Sequence, residues 1–173
     1  MPTPKSFLLR RSALALVALA VAFGLWKWIS HPRAYALRLT DGTEVYFRSG
    51  TTIDPAPGYP RPREIRVNGN LFLRASETGE PLVVRSRLMT LTVTGNAALR
   101  VTAFATQTGE EAEVLRGRVV ARKAYPSSNQ EPDTLTRGEM IMINRTIDLA
   151  EKETCDPEEV QRWADELIDT VGR

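Results

Sequence analysis

His31 is the one histidine of the chain and Cys155 the one cysteine, so the side chains that most often carry nucleophilic, acid–base and metal chemistry are nearly missing. A Ser-His-Asp or Cys-His arrangement has no imidazole except His31, which sits a few residues after a long apolar run, and a zinc site has no second nitrogen ligand. A single thiol also excludes an intrachain disulfide and a cysteine-based metal cluster. Carboxylates remain, 21 of them, and two held close together suffice for general acid–base work. They are scattered among turn signals and a terminal helix, where acids ordinarily form a solvated surface. The sequence therefore predicts no catalytic residue, no metal and no cofactor. Three lesser signals carry little chemistry. Asn144-Arg145-Thr146 fits a glycosylation acceptor that stays idle in a bacterial chain. Cys155 is expected to be a free thiol. Arg116, Arg118, Arg122 and Lys123 read first as the solvent face of a strand and second as a contact for an acidic partner or lipid headgroups.

Charge narrows the partner classes. The 173 residues carry a net +2, but the first 29 residues hold Lys5, Arg10, Arg11 and Lys27 and no acid. The remainder is near neutral, without the basic domain that a nucleic-acid partner requires. No nucleic-acid partner is expected. The chain beyond the apolar run is the size of one ordinary domain, long enough to bury a core without staples.

That run, Ser12 to Trp26 or on to Ile29, approaches the roughly 20 apolar residues that cross a bilayer core. Arg10 and Arg11 precede it and Trp26, Lys27 and Trp28 close it, a pattern of headgroup-reaching arginines and interfacial aromatics. It reads as a membrane anchor. A cleaved signal peptide is the rival reading, but Ala20-Val21-Ala22 lies inside the run and Ala34-Tyr35-Ala36 well beyond it. A twin-arginine export signal lacks the bulky apolar residue expected after the arginine pair. Flanking charges barely distinguish the two orientations. The long C-terminal part is expected outside the cytoplasm because so little precedes the run.

From Tyr35 onward the pattern is that of strands. Residues 36–40 and 43–48 alternate around Asp41-Gly42, a hairpin turn pair. Five of the residues from Asp54 to Pro62 are proline or glycine, which predicts an extended surface loop. A second hairpin is expected about Asn68-Gly69-Asn70. Further strands are expected at 82–84, 88–94, 99–104, 113–116 and 118–121, with Gly95 and Gly117 in turns, and a last one at 140–143. Val83, Leu91, Val93, Val101, Val114 and Val119 are the expected core. Strands every eight to twelve residues predict an all-β sandwich, barrel or solenoid.

The period changes at the end. Asp156 is placed to cap, Pro157 suits a first helical position, and Glu159 closes a capping box. Val160, Trp163, Ala164, Leu167, Ile168 and Val171 form one apolar stripe at spacings of three and four. Trp163 and Leu167 are its large members. They either cover the β domain or dock a partner. The expected organisation is a short tail at 1–11, the anchor at 12–29, a β domain at 30–146 and an acidic helical segment at 147–173.

The order of these motifs resembles the FecR domain family, the exported sensor part of ferric-citrate-type transmembrane regulators. Leu39-Thr40-Asp41-Gly42-Thr43-Glu44-Val45 is similar to its D-G-S/T-x-V opening, and Arg63 to Ala75 resembles its next glycine-containing pair of strands. Pro81-Leu82-Val83-Val84-Arg85 looks like its P-F-x-V segment, and Thr94-Gly95-Asn96 with Val101-Thr102-Ala103-Phe104 resembles its L-G-T-x-F-N-V-x-A-Y signature. Glu113 to Val119, with Gly117, is similar to L-x-x-G-x-V. Leu135-Thr136-Arg137-Gly138-Glu139 is similar to L-x-P-G-E, with Arg137 in the proline position. Asp41, Gly42, Gly69, Gly95, Gly117 and Gly138 are the residues that carry the motifs.

The resemblance implies a non-enzymatic domain that binds protein. Family regulators join a cytoplasmic anti-sigma segment, one span and an exported domain with a small module after it. Here the residues before the run are too few for a sigma-binding part, and the chain stops at the helix. The expectation is a single-pass inner-membrane protein with its FecR-like domain in the periplasm, acting in signalling or envelope assembly through a protein partner. A structural or carbohydrate-binding β domain, with Tyr46, Tyr59 and Tyr125 lining one groove, is the alternative.

Overall fold

The computed structural model describes residues 33–171. The expected anchor, with Arg10, Arg11, Trp26, Lys27 and Trp28, lies outside the described residues. Within them, no helix is long and apolar enough to cross a membrane.

Alternating apolar residues and repeated turn signals produce ten strands: β1 (Ala34–Arg38), β2 (Glu44–Arg48), β3 (Thr52–Pro55), β4 (Glu64–Arg74), β5 (Leu82–Arg85), β6 (Met89–Ala103), β7 (Gly109–Lys123), β8 (Asp133–Leu135), β9 (Glu139–Asn144) and β10 (Leu149–Thr154). One helix, α1 (Pro157–Val171), comes after them. All ten strands belong to one sheet, in the order β1-β2-β4-β5-β6-β7-β9-β10, with β3 on β4 and β8 on β7. Only β4 with β5 runs parallel among the described pairs.

The three long strands serve two halves of that sheet. The first part of β4 pairs with β3 and β5, while its second part pairs with β2 and β6. Likewise β6 pairs first with β5 and then with β4, and β7 first with β9 and then with β8. Both halves turn one face inward onto a common core. Ile65, Val84, Leu91, Val93 and Val119 come from one half, and Val45, Leu71, Leu99, Val101, Val114 and Ile141 from the other. The all-β class thus holds, as a single sheet folded over with one helix at its C-terminal end.

The glycine positions depart from the sequence expectation. Gly69, Gly95 and Gly117 do not sit in hairpin turns but inside β4, β6 and β7. A left-handed residue mid-strand bends the strand and increases its twist, which lets one strand run through both halves. The bend is sharpest between β6 and β7, where pairing slips between Thr94 and Ala98 and again between Ala98 and Leu99. Gly42 and Gly138 do lie in turns, but the first hairpin is wider than a two-residue type I′ turn. Leu39 N–H donates to Thr43 O at 2.9 Å and Gly42 N–H to Leu39 O at 3.0 Å, with Gly42 at φ 87°. This is a three-residue loop closed by a left-handed glycine.

Three strands were not legible in the sequence: β3, the short β8 that pairs with β7, and β10. The loop from Asp54 begins as the edge strand β3, whose Pro55 is tolerated at an edge. Ile143 does not end the sheet, because β10 pairs with β9 from Leu149 to Thr154 although four of its six residues are exposed. An outer strand needs no apolar alternation to be held by backbone hydrogen bonds. Val83 is likewise not core: it pairs with Thr92 on the outer face and is half-buried, while Leu82 and Val84 point in.

Asp156 caps the helix as expected, with Glu158 N–H donating to Asp156 Oδ1 at 2.9 Å; Glu159 makes no return bond to close a capping box among the described hydrogen bonds. Val160, Ala164 and Leu167 are buried against Phe72, Ala98 and Leu115, the outward residues of β4, β6 and β7. A second, smaller core therefore lies between helix and sheet.

The two interior glycines of the bend predict a contrast. A Cβ on Gly117, at φ 89°, would stand 2.8 Å from the Cα of Ala97, whereas one on Gly95, at φ 68°, would meet nothing within 4 Å. Gly95→Ala is expected to cost about 1 to 2 kcal/mol, the left-handed penalty alone, and Gly117→Ala a further ~2 kcal/mol of overlap. Urea melts read the difference; equal losses would mean that β6 and β7 do not close on each other there.

Candidate functional site

Two clusters of polar side chains stand out, and they do different work. The first is built on the Asp41-Gly42-Thr43 turn. Arg63, immediately before β4, donates from Nε to Asp41 Oδ2 at 2.6 Å, and both side chains are 3% exposed. The same guanidinium reaches Glu80 O at 2.6 Å, Ser76 O at 2.9 Å and Ser76 Oγ at 3.0 Å. Asp41 also accepts from Thr43 N–H at 2.9 Å and Thr43 Oγ1 at 2.8 Å. One ion pair thus ties the β1–β2 turn, the start of β4 and the segment leading to β5. Every nitrogen of Arg63 has a partner, which is what a buried guanidinium requires.

The electrostatics reflect this geometry. Burial pushes the Asp41 carboxyl up, but hydrogen bonds from Thr43 N–H and Arg63, the nearby Tyr59 hydroxyl and the Thr43 hydroxyl outweigh it and hold it at about 2. Tyr59 is pushed up to about 12, by burial first and then by the carboxylate beside it. Asp41 and Arg63 are fully hydrogen-bonded, while the buried Tyr59 hydroxyl beside them has no hydrogen-bond partner among the described residues. Asp41 is a latch of the fold, and Arg63, which the motif did not single out, is its other half. An arginine at the point where a proline-rich loop enters a strand was the available signal.

The second cluster is open. A groove of about 650 Å³ runs between the N-terminal part of α1 and the outer face of the sheet, a volume typical of binding clefts. Phe72, Ala98, Leu115 and Pro157 supply apolar lining, and Arg74, Arg116, Arg137, Arg162, Glu158 and Gln161 the polar lining. Arg74 lies opposite Ala98 on β6, and Ala98 opposite Arg116 on β7. The small residue between two long ones creates the depression.

Three of the arginines stand on rigid supports. Arg74 lies 5.6 Å from the Tyr46 ring centre and 5.5 Å from that of Phe72, stacking distances for a guanidinium. Arg116 Nη2 donates to Asn96 Oδ1 at 2.6 Å. Arg137 occupies a turn closed by Thr136 N–H to Glu139 Oε2 at 2.7 Å and Glu139 N–H to Thr136 O at 3.0 Å. Lys152, and after it Thr136, hold the Glu139 carboxyl at about 2. The groove can attract and orient an anion, and it has an apolar surface for a side chain beside it.

The two stripe residues of the helix are separated by the structure. Leu167 is 1% exposed in the helix–sheet core, so it covers its own domain and is closed to a partner. Trp163 packs at the edge of that core, with Arg48 and Arg100 guanidinium groups 5.8 and 4.7 Å from its ring. Of the motif glycines, Gly138 adjoins the groove through its neighbour Arg137. The three tyrosines do not share a groove: Tyr46 packs on the helix side, Tyr59 beside Asp41, and Tyr125 against the main core near Lys123.

Two expectations test these assignments. Because the folded carboxyl of Asp41 titrates at about 2 against an ordinary 3.8, its contribution of about 2 kcal/mol is complete above pH 4 and is lost as pH falls towards 2. Asp41→Asn should remove that acid slope, and Arg63→Met, which strands a buried carboxylate, should cost about 3 to 5 kcal/mol in urea melts. An unchanged slope in Asp41→Asn would assign the acid sensitivity elsewhere. Leu167→Asp should cost several kcal/mol by placing a charge in the helix–sheet core; a thermal melt as high as that of the parent would detach the helix from the sheet.

Neither protein-family models nor curated proteins match this chain. Solved structures do. Two crystal structures of a candidate anti-sigma factor from Parabacteroides distasonis ATCC 8503, at 1.65 and 2.50 Å resolution, superpose with TM-scores of 0.67 and 0.65 at 24% and 23% identity. Each match covers 77% of this chain and 61% of that chain. The likeness is one of fold: this chain shares the β architecture of those structures and spans about three-fifths of their length.

Proposed function

We propose that the chain is a non-enzymatic, single-pass inner-membrane protein whose FecR-like β domain lies in the periplasm and acts in transmembrane signalling by binding another protein. The observation that carries this reading is the arginine-rimmed groove beneath α1, an open, apolar-floored surface. The shared fold with a candidate anti-sigma factor supports a regulatory setting. The apolar run at 12–29, with its flanking arginines and tryptophans, supports the anchor. The near-neutral remainder of the chain argues for a protein rather than a nucleic acid as partner.

Two measurements in cells test it. A reporter active only in the periplasm, fused after Arg173, is expected to be active; activity from a reporter restricted to the cytoplasm would sink the topology. A photo-crosslinking amino acid at Gln161, on the groove, should give a discrete protein adduct that the same group at Thr92, on the opposite outer face, does not. Equal adducts from both sites would remove the groove from protein binding.

A further inference from the structure

Four guanidinium groups around one depression repel one another. Among the described residues, none of Arg74, Arg116, Arg137 and Arg162 forms an ion pair, while six pairs form elsewhere. Arg116, Arg137 and Arg162 are exposed and Arg74 is half-buried. Glu158 is the only acid in the lining. Four positive side chains face one acid in this lining, in a domain that is close to neutral.

We propose that this groove binds an extended acidic peptide segment of a partner protein, seating an apolar side chain over Ala98 and Leu115 between carboxylates that meet Arg74 and Arg116. The inference rests on the reading of the chain as a protein-binding domain and names the chemistry of its partner. Arg74 and Arg116 share one cross-strand row, two strand spacings or about 10 Å apart. Successive side chains of an extended chain face opposite ways. Acids at i and i+4 with an apolar residue at i+2 therefore place all three on the groove face, the acids about 13 Å apart, within reach of both long side chains. Each guanidinium offers a carboxylate a planar, two-pronged donor pair. Stacking of Arg74 and the Asn96 bond to Arg116 hold the donors before a ligand arrives, which reduces the ordering cost of binding. The apolar floor has no use to a bare phosphate or a lipid headgroup, and a side chain flanked by acids uses floor and rim together.

The test is selection of a random peptide library displayed on phage against the full chain in a neutral detergent. Enrichment of sequences with Asp or Glu two residues to either side of a Leu, Ile or Phe is expected. The best peptide, synthesised and measured by fluorescence anisotropy, should bind about tenfold more weakly to Arg116→Ala. The double variant Arg116→Glu with Arg137→Glu should lose about a hundredfold or more with an unchanged melting temperature, since both residues are exposed. Replacing the central apolar residue of the peptide by Ala should weaken binding about fivefold or more. Selection without acid enrichment, or binding indifferent to the double variant, would overturn the proposal. So would inorganic phosphate or phosphatidylglycerol vesicles competing as well as the peptide at matched charge. Peptide binding without any adduct from Gln161 in cells would leave the groove chemistry standing and remove the cellular protein partner; an adduct from Gln161 without acidic peptide selection would do the reverse.

Discussion

The pairing of β6 with β7 is the constraint on which the other features hang. These are the two longest strands, fifteen residues each, and they pair on both sides of a break between Thr94 and Leu99. Without the break, a ladder of that length would be a stiff twisted ribbon with one face half covered. With it, the ribbon folds, and the same inward-facing alternation closes a core from both sides. The break is possible because Gly117 lies against Ala97 with no Cβ to intervene.

The irregularity also makes the groove. Inward positions on β7 are Ala112 and Val114 before the bend and Val119 and Ala121 after it. That change of parity marks an extra residue in β7, so Leu115 is buried under α1 while Arg116 next to it is exposed. On β6, Ala98 comes to the outer face at the same place. A bulge that folds the sheet thus also presents a small residue, an apolar residue and an arginine together on the outside. Bulges are frequent beside functional sites for this reason: they re-aim side chains. The helix completes the arrangement, burying Val160, Ala164 and Leu167 while its first turns form the opposite wall.

The Asp41–Arg63 pair secures the other end of the structure. Its worth to stability is not the Coulomb attraction alone, since removing two charges from water is expensive. Its effect is to make one conformation of three chain segments satisfy every donor of a buried guanidinium. The proline-rich loop between β3 and β4 has little core of its own to hold it. A charged latch with several hydrogen bonds supplies the specificity that apolar contacts do not.

Much of this was written in local residue patterns. The β class, the first hairpin around Asp41-Gly42, the inward faces through Leu91, Val93, Val101, Val114 and Val119, and the capped helix from Pro157 all derive from alternation, turn chemistry and 3.6-residue periodicity. The near absence of histidine and cysteine steered the reading away from catalysis. Those signals act within a few residues of chain, so sequence alone displays them. Whether Gly69, Gly95 and Gly117 end strands or bend them was decided by tertiary structure, because a glycine with positive φ permits either and only the strands paired on both sides choose. β10 was hidden for a related reason: its partner Met140–Ile143 holds it through backbone bonds that are blind to side-chain type. The partnership of Arg63 with Asp41, and the meeting of Arg74 from the end of β4, Arg116 from the bend of β7, Arg137 from the β8–β9 turn and Arg162 from the helix, join residues far apart in the chain. No local pattern encodes such a distance, and only the folded sheet brings those charges to one place.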